Sequence, residues 1–78
     1  MNVKELFGKE VVDAQAENIG RVTDLDVDIE RGVVNHIVVK AGLVRRYIVR
    51  PEQIEKLGDR ILLNLSESQL QRKSMIGM

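Results

Sequence analysis

The sequence contains no cysteine and no tryptophan, one phenylalanine, one tyrosine, one proline and one histidine, and it carries no net charge. Without cysteine there is no disulfide to brace the fold, no thiolate metal site and no thiol nucleophile, and nothing marks the redox compartment. Cytoplasm is then the expected location. Two aromatic residues cannot build the stacking platforms on which single-stranded nucleic acid binders rely, and they leave the core to Val, Ile and Leu. Twelve basic residues balance twelve acidic ones, so no overall field concentrates polyanions, and direct nucleic-acid binding is not expected. No run of about 18 apolar residues occurs, and the segment Met1 to Phe7, with Lys4 and Glu5, lacks the apolar centre of a signal peptide. The expectation is a protein that neither inserts into a membrane nor is exported.

Seventy-eight residues suffice for one domain with a small core, and chains of this size bury only about 60% of their unfolded surface. The organising stretch runs from Ile19 to Glu30, where Leu25, Val27 and Ile29 alternate with Asp24, Asp26, Asp28 and Glu30. A period of two describes a half-buried strand with the three apolar side chains inward and the four carboxylates in water. Gly20 suggests a position where a side chain would clash or a bulge is needed, Val22 breaks the alternation in the same place, and a bulge is expected around Arg21 to Thr23.

Before this strand, a short helical turn from Val3 to Leu6 capped by Asn2 and ended by Gly8 is expected, with Leu6 and Phe7 anchoring it to the core. Lys9 to Asp13 then reads as a strand, joined to the organising one through the polar A-Q-A-E-N. After a turn at Glu30 to Gly32, Val33 to Lys40 is the most apolar strand. Val44 to Arg50 is the next, and its pattern leaves two inward faces open, Val44 with Ile48 or Tyr47 with Val49. Pro51 has no N–H for a ladder and ends it. P-E-Q-I turns into Ile54 to Leu57, and Gly58 and Asp59 close a hairpin with Arg60 to Leu65. Ser66 to Arg72 is expected to be a short helix or a frayed tail, followed by the apolar end Met75, Ile76 and Met78. Short strands separated by turn signals suggest a small barrel or sandwich.

The residues that could carry chemistry point away from catalysis. D-x-D-x-D-x-E resembles the start of a calcium loop, but Ile29 stands where that loop needs glycine and Asn35 where it needs a bidentate acid. The stripe is better read as a solvated face, or as a partner for Arg45, Arg46 or Arg50 across strands. His36 alone cannot supply a zinc site, and no serine sits in a nucleophile context. The six glycines form neither a dinucleotide nor a Walker fingerprint. No metal and no cofactor are expected. Arg45 and Arg46 beside Tyr47 form either a small cationic interface patch or a charged, aggregation-resistant edge strand.

Taken in order, G-K-E-V-V-D (Gly8 to Asp13), I-G-R-V-T-D (Ile19 to Asp24), G-V-V-N-H-I-V-V, R-P-E-Q-I (Arg50 to Ile54) and the closing G-D-R-I-L-L-N resemble the PRC-barrel domain family. The resemblance covers roughly residues 5 to 65. It implies an all-β fold, a small, strongly curved antiparallel β-barrel over residues 1–65, with residues 66–78 as a helical or flexible tail. Family members occur in the H subunit of photosynthetic reaction centres, as the C-terminal half of the ribosome-maturation factor RimM, and as short stand-alone archaeal proteins, which this chain resembles most. The resemblance implies a non-catalytic adaptor and a homodimer, with a SepF-type cell-division protein as partner. An accessory role in RNA metabolism is the alternative. His36, Val38, Arg45, Arg46 and Tyr47, on the third and fourth strands, are the candidate contact residues.

Overall fold

Strands β2 (Asn18–Asp28) and β3 (Val33–Ala41) pair antiparallel to form the spine of the molecule. Their register slips between Val22 and Asp24, leaving Thr23 as the extra residue. Val22 and Leu25, three apart, are thereby turned to the same side, as the interrupted alternation predicts. Gly20 lies against β3 so tightly that a Cβ there would fall 2.0 Å from the Lys40 carbonyl oxygen. Only glycine fits this crossing.

The computed structural model describes residues 3–73. Among these, β1 (Glu10–Val12), β4 (Arg45–Val49), β5 (Ile54–Leu57), β6 (Ile61–Leu63) and β7 (Gln71–Arg72) extend the spine into one seven-stranded sheet, ordered β5-β6-β1-β2-β3-β4-β7. The connectivity forces this sheet to curl. From β4 to β5 is five strand steps, roughly 24 Å across a flat sheet at about 4.8 Å each. The linker has only Arg50 to Gln53, and even fully extended the five peptide steps from Val49 to Ile54 reach no more than about 18 Å. Three of the four linker residues, Pro51–Gln53, form a compact 3-10 turn, which shortens the reach further. The result is the expected strongly curved all-β architecture, realised as a curled half-barrel. All strand pairs are antiparallel except β1 and β6, which run parallel.

Burial inside the curl is almost wholly aliphatic. Val11, Val39, Val49 and Ile61 have no exposed surface, and Tyr47 is 5% exposed. The inward face of β4 is therefore Tyr47 with Val49, while Val44 points into solvent. Two expectations are corrected here. Of the apolar series on β2, Leu25 packs against the core, but Val27 is 45% and Ile29 88% exposed. The reason is that β1 pairs with β2 only from Asn18 to Arg21 and β4 with β3 only from Ile37 to Ala41. Past Leu25 neither β1 nor β4 runs beside the two long strands, so Val27 is open to solvent although its partner Val34 still packs on the core, and Ile29 lies beyond the end of β2. Likewise Leu6 packs on the core, whereas Phe7 is half exposed.

Where a short helix or tail is expected after Leu65, the structure has a single 3-10 turn, Glu67–Gln69. It is closed by the Ser66 N–H donating to Gln69 Oε1 at 2.9 Å. Leu70 follows as a buried core residue, and β7 pairs with β4. Met75, Ile76 and Met78 lie outside the described residues. No helix among those residues is long and apolar enough to cross a membrane.

Candidate interaction surface

One mouth of the half-barrel is closed by Asp13, the residue after β1. Its side chain is 1% exposed. Oδ1 accepts the N–H groups of Gln15 at 3.0 Å and Glu17 at 2.9 Å, an Asx-type turn in which a short carboxylate bonds its own chain two residues on. Oδ2 accepts the Glu67 N–H at 2.8 Å, tying the β1–β2 turn to a segment 54 residues away. Burial pushes the carboxyl pKa up, but the three backbone N–H bonds from Glu17, Glu67 and Gln15 outweigh it and hold the group below the ordinary aspartate value.

Glu67 carries the network across to β4. Its carboxylate accepts the Tyr47 hydroxyl at 2.8 Å and lies 3.6 Å from the Arg45 guanidinium. Burial, then the hydrogen bond and the negative charge of Glu67, raises the Tyr47 phenol above its ordinary range. These residues line a depression of about 420 Å³ together with Gln15, Glu17, Ser66 and Ser68. Several of its groups are committed to one another: the Tyr47 phenol donates to Glu67, and the Ser66 hydroxyl donates to Gln69 Oε1. The arrangement serves to fasten chain segments together. Among the described residues no cluster of three His, Asp or Glu could hold a metal ion.

The five residues expected to share a contact surface fall on two faces. Tyr47 is turned inward beside Val49, with Arg45 on the same side of β4. His36, Val38 and Arg46 point outward, alternating with the buried Ile37, Val39 and Tyr47. Of the outward three, Val38 is only 2% exposed. His36 Nδ1 lies 3.9 Å from Asp26 Oδ2, and the Asn35 amide donates to the same oxygen at 3.0 Å. Asp26 thus bridges the second register slip of the β2–β3 ribbon, and it pairs with β3 rather than with the arginines of β4.

Asp13 and Glu67 are the residues that sequence reasoning passed over. An aspartate directly after a buried strand and before a polar turn was the available signal for the first. No local pattern marks Glu67, because its partners come from β1 and β4.

With this geometry in view, the comparison with known families is decisive: the PRC-barrel domain family model matches residues 1–70. The chain belongs to the PRC-barrel family. The segments that carry the likeness hold defining points of the PRC-barrel fold described above. Gly8 to Asp13 leads into β1 and its carboxylate clasp, Ile19 to Asp24 contains the tight crossing and the bulge, and Arg50 to Ile54 is the turn that makes the sheet curl. The match also extends past Leu65 to include Glu67 and Leu70, the two residues that join the last segment of the PRC barrel to its core. No curated protein matches the chain.

Proposed function

We propose that this PRC-barrel protein is a non-catalytic protein-interaction module, working in the cytoplasm as a homodimeric adaptor of the archaeal type, with a SepF-type division protein as its partner. The observation that carries this reading is membership of the family across residues 1–70. The committed hydrogen bonds of the Asp13–Glu67–Tyr47 network support a structural use of the most elaborate polar cluster. Dimer formation is supported by the modest core of a chain this small, which gains stability when faces or edges pair.

Affinity capture of the tagged protein from its host lysate, with and without nuclease, tests the reading. The adaptor role is upheld by division proteins that remain bound after nuclease treatment. Ribosomal proteins that disappear with nuclease would transfer the protein to RNA metabolism.

A further inference from the structure

The tip of the β2–β3 ribbon and the turn between β5 and β6 carry matching features. At the tip Ile29 is exposed, with Val27 and Val33 open beside it. Around it stand Asp28, Glu30 and Arg31, two acids and one base. Asp28 Oδ1 accepts the Arg31 N–H at 3.1 Å and fixes the turn, while the side chains of Glu30 and Arg31 make no hydrogen bond or ion pair among the described residues. The β5–β6 turn borders a groove of about 290 Å³ lined by Val12, Leu62, Lys56, Gly58, Asp59 and Arg60. Val12 and Leu62 are register partners on β1 and β6, and they alternate with the fully buried Val11 and Ile61, so the groove lies on the outward face of the sheet. Its rim carries two bases and one acid, Lys56, Arg60 and Asp59, all exposed and all without a side-chain hydrogen bond or ion pair among the described residues. A cavity of about 150 Å³ admits benzene, so the groove has room for an aliphatic side chain.

The charges of the tip are thus the inverse of those at the groove, and both flank apolar surface. The fold puts the two at one end of the molecule. Where the ribbon leaves the sheet, the Val22 N–H donates to the Lys9 carbonyl at 3.1 Å, and the Lys9 ammonium donates to the Gly58 carbonyl at 2.6 Å. From Val22 to Asp28 the strand rises about 20 Å, which carries the tip clear of the groove on its own chain. Two copies that meet at this end can each lay a tip in the other's groove, and the contact then closes under two-fold symmetry. We infer that this protein dimerises by reciprocal exchange of ribbon tips, with Ile29 seated over Val12 and Leu62 of the second copy, Glu30 facing Lys56 and Arg60, and Arg31 facing Asp59; this deepens the homodimer reading and rests on it.

Sedimentation velocity at rising concentration tests the interface with two variants. I29K/E30K disables the tip and K56E/R60E the groove. All four side chains are exposed, so thermal melts of dilute protein should show both variants folded. Alone, each should raise the dissociation constant at least about tenfold, since like charges then face each other at both contacts. Mixed in equal amounts the two should dimerise again, because the lysine tip meets the glutamate groove at one contact and the unaltered pair remains at the other. The milder I29S and K56Q/R60Q, which reverse no charge, should weaken association less. L43S removes the exposed leucine of the β3–β4 turn, at the opposite end of β3, and should dimerise like wild type. Variants that dimerise as wild type does, an equal loss with L43S, or a mixture that stays monomeric refute this interface and leave the homodimer reading standing. A wild type that is monomeric at every concentration refutes both.

Discussion

The Tyr47 hydroxyl donates to the Glu67 carboxylate at 2.8 Å across the mouth of the half-barrel, while the Glu67 N–H donates to Asp13 at 2.8 Å. One residue of a short 3-10 turn thus joins β1 to β4, which are three places apart in the sheet. Curvature is held by side chains where no strand pairing can hold it.

Tyr47→Phe removes the bond to Glu67 and keeps the ring. A hydrogen bond with one charged partner, half open to solvent, contributes about 1 kcal/mol, which in a domain this small lowers Tm by about 4–8 °C. The pH profile is a second readout. The folded phenol titrates above its ordinary value of 10.0, so its contribution is complete below about pH 10. It is lost as pH rises through the folded pKa, and Tyr47→Phe should flatten that alkaline limb in chemical denaturation.

Asp13→Asn places an NH₂ or a neutral oxygen against backbone N–H donors that now meet a carboxylate. The variant should melt lower than Tyr47→Phe, since three hydrogen bonds and the clasp between distant segments are weakened together. The wild-type carboxyl titrates below its ordinary 3.8. Its stabilisation is therefore present above that value and lost as pH falls through the folded pKa. Acid unfolding followed by circular dichroism should be less steep for Asp13→Asn over that window.

Gly20→Ala drives a methyl group into the Lys40 carbonyl and should cost about 3 kcal/mol or prevent folding. Gly58→Ala is the matched control. Nothing lies within 4 Å of its added Cβ, so the change should be neutral or stabilise by up to about 1 kcal/mol through the unfolded chain. Equal destabilisation by the two substitutions would contradict the close crossing of β2 and β3.

Leu70→Ala empties a buried site and should cost about 2–4 kcal/mol. A chain ending at Leu65 loses Glu67, Leu70 and β7 together and should not fold cooperatively in a thermal melt. A truncated chain as stable as the full one would show that residues 66–73 are dispensable to the barrel.

Ile29→Thr should change stability by less than about 0.5 kcal/mol, the usual range for exposed positions. An inward-facing isoleucine would cost several times more. The alternation of Leu25, Val27 and Ile29 identifies a strand correctly, but it holds no information on where neighbouring strands stop. Burial of Val27 and Ile29 requires β1 or β4 to run alongside them, and neither reaches that far.

Chain-local chemistry determined much of this protein. Alternation and β-branching specified the strands, the broken alternation at Val22 specified the bulge, and Gly20, Gly32 and Pro51 marked a tight crossing, a turn and a strand end. Each depends on residues a few positions apart. The tertiary structure decided whatever depends on distant partners. It turned the Tyr47 face of β4 into the core, where Tyr47 meets Glu67, and it set β6 parallel to β1, on the far side of the sheet from β4. The curl of the sheet buried Asp13 under two chain segments. Register between strands is set by the packing of the whole sheet, and it brought Asp13, Tyr47 and Glu67 together from three separate stretches of sequence.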